Sequence, residues 1–584
     1  MRRALEPDMP PNRIELLRHG DEIRILGAHQ QMEFRYPRAR LLSGPIDLPA
    51  GRYWLRCRYS REALLSPPRL GIFCETAYET HVIGVDLDRK DRLIELIGGR
   101  VHFELTPQAL PGDLVFETLA LRPMTSGRWI SLALRRILGK LLPNMGLNKV
   151  SVPQVQPSTA LPQQAFDGAQ EAWLAQEAGY LSLCPPAHSL LLGSEELVAE
   201  AFNARSETMV VYGDSLAGKF MRALPNWDPT LAATTDYVDG PVFVRNSARE
   251  LCLATGMEAL KAAERNFGSG AICHIPAPLS RAAEPDGNRP LPSIACPDRP
   301  CWPSVSIVIP TKIRLDLLAV CLDGLAKQTD YPSRLDIVIV DNGADPTELE
   351  KVIIDAQANL DIRVIDRSGP FNFSYLVNQG VAQARGDVVL LLNDDVVPIS
   401  PSWLKRLVDS AMDEGVGAVG ARLLNKDGTI QHAGVALGLC GLCGHMWRGL
   451  SEAEAQHYPS ILVPSRRSAV TGACLAVRRS LYQEVGGFDE TDLQVTLNDI
   501  DFCLRLNALG YQTHYRGDAV LIHDESSSRG ADIDVAKLKR RAAEIEKFHA
   551  RWNTHNQQDP WFSSAFDRYS ESGIDPVRRK PLSG

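Results

Sequence analysis

Through the second half of the chain, apolar runs alternate with segments of helical spacing. SVSIVIP from Ser304, LDIVIVD, DIRVID and DVVLLLN are near-continuous apolar runs, the pattern of strands buried on both faces of a parallel sheet. Between them, RLDLLAVCLDGLAKQT and NFSYLVNQGVAQA place their apolar residues at helical period. This alternation predicts an open, wound α/β sheet, whose ligands gather beyond the carboxyl ends of the strands.

The first part of the chain reads differently. From about Ile23 to Pro123, short strand-like segments such as GRYWLRCRYS and THVIGVDLD are broken by Gly, Pro and Asp, which predicts a β-sandwich over residues 1–125. Such a module serves either as a spacer or as a carbohydrate-binding or docking unit. Residues 126–185 follow as a helix and a linker. In SGRWISLALRRILGKLLP, Trp129, Leu132, Ile137, Leu138 and Leu141 form an apolar face, with Arg128, Arg135, Arg136 and Lys140 supplying positive charge. Two readings stand for residues 128–142: a helix lying on an anionic membrane surface, or a helix packed on its own protein with solvated arginines. NKVSVPQVQPSTALPQQ then has linker composition.

Composition narrows the function classes. A chain of 584 residues with 44% hydrophobic and 23% charged residues is an ordinary globular protein of several domains. A net charge of -8 gives no general attraction for nucleic acid. The 12 cysteines are scattered, with Cys440 and Cys443 the only C-x-x-C pair, so neither a zinc site nor a disulfide framework is expected. The start lacks the apolar core of a signal peptide, and no run reaches the ~18 apolar residues of a membrane span. Cytoplasmic residence with reduced thiols is the expectation, at most peripheral on the inner face of the cytoplasmic membrane.

Candidate chemistry concentrates in GDVVLLLNDDVVP, Gly386 to Pro398, where Asp394 and Asp395 follow an apolar strand. Alone, such a pair caps a turn or a helix as readily as it binds anything. Here Pro310 and Thr311 end the first strand, Asp341 and Asn342 end the second, and Asp387 opens the strand leading to Asn393, so several polar groups are expected on one edge. Hard divalent cations take oxygen ligands and are held by one or two carboxylates together with substrate phosphates. The phosphate-cradling glycine loops of kinases and dinucleotide enzymes are missing. A metal-held nucleotide diphosphate is the natural partner.

These segments, with VTGACLAVRRSLYQEVGGFDE, LNDIDFCLRLNALGYQTHY and HDESSSRG, together resemble glycosyltransferase family 2, whose members have the GT-A fold. The likeness covers roughly Ser304 to Gly530 and implies a GT-A catalytic domain over residues 300–584, closed by a charged helix and the segment QDPWFSSAFDRYS. It implies that Pro310, Thr311, Asp341 and Asn342 hold the base and ribose of a nucleotide sugar, with Asn393 and Asp394 facing ribose and phosphates. Asp395 and His523 would ligate Mn²⁺ or Mg²⁺, imidazole suiting Mn²⁺ better. Asp499 matches the general base, which must reach the acceptor hydroxyl as it attacks the anomeric carbon. Relatives often have Glu-Asp there, whereas Asn498 precedes Asp499 here. Asp501 is read as structural. Gly472 and Ala473 would line the acceptor side, Gly472 admitting a sugar. His432 stands near the site, either functional or structural.

Residues 186–290 carry a fainter likeness to the later half of another family 2 domain, since GPVFVRNSARELCLATG echoes GACLAVRRSLYQEVGG. In that copy the acidic triplet is expected at Gly213, Asp214 and Ser215, and the base within AAERNFG, so its chemistry reads as lost.

The resemblance implies an inverting, metal-dependent glycosyltransferase, using a nucleotide-diphosphate sugar and a saccharide or lipid-linked acceptor in O-antigen or capsule synthesis, with rhamnosyl transfer one case. A non-catalytic carbohydrate-binding or scaffold protein on the same fold is the alternative. A nucleotidyltransferase is disfavoured, because no Gly-rich loop bearing Arg and Lys follows the first strand.

Overall fold

The computed structural model describes the strands between residues 12 and 123, residues 174–175, and residues 179–283, 294–524, 535–563 and 566, less short gaps at 192, 218–219, 253–254, 358–359, 440–441 and 555–556. The chain divides into two compact units, Met1–Thr76 with Val85–Ala172, and Ala77–Gly84 with Trp173–Gly584. The amphipathic segment 128–142, the linker after it, Cys440 and the SSSRG end of the histidine motif lie outside the described residues.

The first unit carries two separate six-stranded sheets. Gly112–Pro123 pairs antiparallel with Gly51–Ser60 in one, and Gly99–Thr106 with Arg69–Glu75 in the other. Leu70 and Ile72, two residues apart on one strand face, are buried, as are Leu55 and Val101. We propose that the two sheets pack as the expected sandwich.

The larger sheet of the second unit has ten strands. Asp361–Asp366, Asp336–Asp341, Val305–Thr311 and Val388–Leu392 lie side by side and parallel. Cys474–Arg478 then runs antiparallel to Val388–Leu392 and to Val416–Leu424. Val416–Leu424 is parallel to Gln512–His523, against which Val396–Pro398 closes the order.

Apolar residues alternate between two cores. Val305, Ile307 and Ile309 pack with Leu318 and Leu322 of helix Leu315–Lys327 and with Trp403 of helix Trp403–Ala411. Val308 faces the opposite core, with Leu376 and Val377 of helix Phe373–Gln383 and Phe502 of helix Asn498–Ala508. Each such side chain contributes about 1.5–3 kcal/mol on burial. On Phe373–Gln383, Gly380 permits close contact, since a Cβ there would stand 2.2 Å from Val308 Cγ1. DIRVID departs from expectation. It is an edge strand with alternating burial, Val364 being 42% exposed, because only one neighbour covers it.

A smaller, seven-stranded sheet lies upstream. Val210–Ala217 pairs antiparallel with Val242–Arg245 and parallel with Ile272–Ala282. Tyr180–Leu183 flanks Val242–Arg245, and His188–Leu190 flanks Ile272–Ala282. Order and senses repeat those of Val388–Leu392, Cys474–Arg478, Val416–Leu424, Gln512–His523 and Val396–Pro398, and we propose that the segment is a second copy of that half.

Register relocates the lost chemistry. Tyr180 pairs with Arg245 as Val388 pairs with Arg478, so the turn matching Asn393 to Asp395 is Pro185, Pro186 and Ala187. The triplet Gly213 to Ser215 instead lies within the strand equivalent to Val416–Leu424. His188 opposes Ala282 as Val396 opposes His523, which puts Ala282 at the histidine position. On that proposal helix Gly256–Phe267 takes the place of Asn498–Ala508, and AAERNFG lies beyond the helix start that corresponds to Asp499. On the proposed equivalence, an apolar strand followed by an aspartate, as in VVYGD, imitates the acidic turn in sequence.

The copy is tied to the main domain. Asp228 caps helix Pro229–Thr234 through the N–H groups of Thr230 and Leu231, and its other oxygen accepts the Arg466 N–H at 2.8 Å. Val463 packs with Leu231 and Trp227. The terminal helix Val535–Trp552, which reads as a solvated outer helix, is docked: Phe548 is fully buried, and Glu544 accepts from Val495 and Thr496 N–H. Beyond it, Phe562 and Phe566 pack on Trp447.

Candidate active site

The strand ends bring most of the expected groups together. Thr311 is in register with Asp341. Val308 is in register with Leu391, so Thr311, three residues on, comes level with Asp394, and its hydroxyl donates to Asp394 Oδ2 at 2.7 Å. Pro310 precedes it in the buried strand, opposite Val340. Burial and the neighbouring Asp395 carboxylate push Asp394 up to about 6, with the Thr311 hydroxyl opposing the shift.

Asp341 and Asn342 shape the turn after the second strand. Asp341 Oδ1 accepts the N–H groups of Gly343 and Ala344 at 3.0 and 2.8 Å, an Asx-type turn. The Asn342 amide donates to the Arg367 carbonyl at 2.8 Å, leaving its own oxygen buried without a hydrogen bond. Asn393 donates its backbone N–H to the Ala473 carbonyl at 3.0 Å, and its side-chain oxygen is likewise buried and unbonded. Two such amide oxygens at one strand edge are acceptors that a ligand can satisfy. Asp387 does not join them. It sits at the far end of its strand, accepting from Ser304 N–H and hydroxyl.

Asp395 turns away from Thr311. Its Oδ1 stands 3.1 Å from His523 Nε2, with the two side chains 4% and 7% exposed. Among the described residues no three metal-type side chains cluster. The pair nevertheless fits a cation: neighbouring ligands on an octahedral Mg²⁺, each about 2.0–2.1 Å from the ion, lie roughly 3 Å apart, and such ions usually keep waters and substrate phosphates as their other ligands.

Asp499 is the second residue of helix Asn498–Ala508, entered through Leu497 at φ 66°. Non-glycine residues rarely adopt this left-handed backbone, and it clusters at functional sites. Asp499 Oδ2 accepts the Gly472 N–H at 2.7 Å, and Oδ1 its neighbour Ile500's at 2.9 Å. Burial raises its carboxyl above the ordinary range, while these N–H groups oppose the shift. Gly472 makes room for this carboxylate: a Cβ there would lie 3.2 Å from Asp499 Cβ. Ala473, expected to line the acceptor side, is 5% exposed within the first core.

Supporting residues flank this base. Asn498 is buried, donating to Ser374 Oγ and accepting the Asp499 N–H, so it anchors the helix start. Asp501 accepts from Arg505, Arg551 and Trp552, a structural arrangement. His432 is fully buried, 3.0 Å from His445 through their Nδ1 atoms, and its Nε2 accepts the Thr471 N–H at 3.4 Å. Its own burial holds it well below the ordinary histidine value, so it props the Thr471–Gly472 turn as a neutral ring. The structural reading of Asp501 and the structural alternative for His432 agree with these contacts, while the role of Asn498 comes from the structure.

Residues 306–486 match the family Glycosyl transferase family 2. An uncharacterized protein y4gI of Sinorhizobium fredii is 39% identical over 264 residues, covering 45% of this chain and 29% of the relative. The O-antigen biosynthesis protein RfbC of Myxococcus xanthus is 38% identical over 233 residues, covering 39% of this chain and 18% of the relative. The N-acetylglucosaminyl-diphospho-decaprenol L-rhamnosyltransferase of Mycobacterium tuberculosis is 25% identical over 235 residues, 36% of this chain and 73% of that one. Among solved structures, the mannosyltransferase PcManGT of Pyrobaculum calidifontis, in complex with GDP-Man and Mn2+, aligns at 19% identity and TM-score 0.33 over 46% of this chain and 69% of that one. The chain therefore spans under a third of the first two relatives, and the segment that contains Thr311, Asp394 and Asp395 is the one that matches glycosyl transferase family 2.

Proposed function

We propose that the domain catalyses inverting, metal-dependent transfer of a sugar from a nucleotide-diphosphate donor to a saccharide or lipid-linked saccharide acceptor, in surface-polysaccharide assembly. One observation carries this reading: the adjacent Asp394 and Asp395 face different partners, Thr311 at 2.7 Å and His523 at 3.1 Å. The first arrangement suits ribose and nucleotide recognition, with Asp341, Asn342 and Asn393 completing the edge. The second suits a divalent cation.

Asp395 and His523 would hold Mn²⁺ or Mg²⁺. When bound, the ion supplies Lewis-acid stabilisation of charge on a departing diphosphate. Asp499 takes the proton of the acceptor hydroxyl as that oxygen attacks the anomeric carbon, the bond to the diphosphate breaking at the same centre. Gly472 N–H holds the carboxylate in place, which favours a single productive orientation. The relatives named for O-antigen synthesis and rhamnosyl transfer make a nucleotide-diphosphate rhamnose the first donor to test. No helix among the described residues is long and apolar enough to cross a membrane; contact with a lipid-linked acceptor through residues 128–142 is part of the proposal. For the upstream copy we propose bracing of the main domain, supported by Asp228 and Val463.

The test is turnover of a nucleotide-sugar panel with Mn²⁺ and candidate acceptors, using Asp499→Asn as control. No donor turnover together with no metal-dependent nucleotide binding would sink the proposal. Nucleotide binding without turnover of any donor would favour the scaffold reading instead.

A further inference from the structure

A second charged site lies among residues that the proposed reaction does not use. Arg422 sits in strand Val416–Leu424, whose neighbours Ala421 and Leu423 point into the first core. Its own side chain points the other way and is 10% exposed. Its Nε and Nη1 are buried with no hydrogen-bond partner among the described residues. The nearest carboxylate, Glu452, is 3.8 Å from the remaining nitrogen and is itself 66% exposed. A guanidinium stays charged at any physiological pH, and burying it with unmet donors is costly.

The environment is a cavity. Arg422 lines a space of about 280 Å³ with Arg406, Gln456, Leu462, Val463 and Asp518, just under the ~300–1,000 Å³ of small-molecule sites. A bulge helps to shape it: Ala421 pairs with Arg516, but Arg422 pairs with Val520, so Gly517 to Ala519 bow out of register. The other acid lining the space is already committed, since Asp518 is paired with Arg406 and Arg516. His514 is pushed down to about 4 by burial beside Arg466 and Arg516 and adds no further positive charge. Arg406 and Arg516 share Asp518, Asp409 stands 3.9 Å from Arg516, and Arg422, with only the outlying Glu452, is the unmet cation. At the matching register position of the upstream copy stands Asp214, which meets His274 at 2.9 Å.

We propose that this cavity is a binding site for a phosphate oxyanion, bare or carried by a sugar, anchored by Arg422 and separate from the donor site. A neutral ligand would satisfy the donors and leave the charge; an oxyanion satisfies both. The proposal does not rest on the glycosyl-transfer reading.

The test uses the full chain with EDTA, so that a cation at Asp395 contributes nothing. Inorganic phosphate is titrated at constant ionic strength against chloride, following Tm and calorimetric affinity. Wild type is expected to rise in Tm with phosphate. Arg422→Met should weaken phosphate binding at least tenfold, lose the rise, and be no less stable than wild type without phosphate. Glu452→Gln, which removes the competing carboxylate, should tighten binding severalfold. Glucose 1-phosphate distinguishes the sources: tighter binding than phosphate identifies a sugar-borne group, equal binding a bare anion. Equal Tm rises in wild type and Arg422→Met, or no rise in wild type, would overturn the proposal. Should Arg422→Met fail to fold, Arg422→Lys serves instead, with weakened phosphate binding expected and unchanged binding counting against the site.

Discussion

Gly472 donates its backbone N–H to Asp499 Oδ2 at 2.7 Å across 27 residues of sequence. The contact exists because no side chain stands between them: a Cβ on Gly472 would lie 3.2 Å from Asp499 Cβ. Gly472→Ala is therefore expected to push the carboxylate by a few tenths of an ångström and lower kcat by roughly tenfold or more, given that a 1 Å misplacement costs about a hundredfold. Donor KM should stay near wild type, because the donor edge is built from other strands. Steady-state kinetics with donor and acceptor varied separately checks this. An unchanged kcat would mean that the hydrogen bond does not position the base.

Asp499→Asn removes the base and keeps the shape, so transfer should fall by about 10²–10⁴ with nucleotide binding retained. In wild type, burial raises this carboxyl, and it must be ionised to accept a proton. The rate should accordingly rise with pH to a midpoint above the ordinary aspartate value of about 4. Stability carries the opposite sign. A carboxyl raised on folding contributes stability that is fully present below its unfolded pKa and is lost as pH rises through the folded one. Loss of the charge favours Asp499→Asn at neutral pH and loss of one acceptor for the Gly472 or Ile500 N–H opposes it, so the Tm of the variant relative to wild type should fall as pH is lowered toward 4. Thermal melts across that range, beside the pH–rate profile, decide the matter.

Removing divalent cations with EDTA should abolish transfer, and Mn²⁺ should restore it. Asp395→Ala and His523→Ala each delete one of two facing side chains, and each should raise the Mn²⁺ concentration needed for half-maximal rate by at least about tenfold, since changing even a residue that only hydrogen-bonds to a metal ligand costs about 10–100-fold. Thr311→Val is the contrast. It removes the hydroxyl donated to Asp394 and should weaken nucleotide binding with little change in Mn²⁺ requirement. Equal Mn²⁺ shifts in all three would show that the two carboxylates do not have separate duties.

The strands of the main sheet were legible because Val305–Thr311 and Val388–Leu392 are buried on both faces, and burial leaves a continuous apolar signature. Asp394 and Asp395 were legible as a pair. Their separate duties were legible only through the family resemblance, because the divergence depends on Thr311 and His523, brought beside them by pairing between distant strands. The same limit bears on the upstream segment: composition favoured Gly213 to Ser215, whereas, if the segment is the proposed second copy, the pairing of Tyr180 with Arg245 points to Pro185 to Ala187 as the equivalent turn. The terminal helix misled for a related reason. Its mixed charges describe the face seen by water, while Glu544 and Phe548 meet partners that lie tens of residues away.

Asp228 offers the last test, of the tie between copy and catalytic domain. One oxygen caps helix Pro229–Thr234, and the other accepts the Arg466 N–H from strand Ser465–Arg467 at 2.8 Å. It is 1% exposed, so truncation leaves buried N–H groups on both sides without an acceptor. Loss of a cap costs about 0.5–2 kcal/mol, and each unsatisfied buried donor about 1–3 kcal/mol. Asp228→Ala should therefore destabilise the second unit by about 2–4 kcal/mol. Asp228→Asn, which keeps an acceptor for the cap and loses only the second one, should cost less. Because burial raises the Asp228 carboxyl, its ionisation already opposes folding at neutral pH, which reduces the penalty of the Asn variant further. If bracing matters for catalysis, Asp228→Ala should also lower transfer at temperatures well below its melting point, although Asp228 lies outside the candidate site. Full activity in a variant that melts measurably lower would confine the role of the copy to stability.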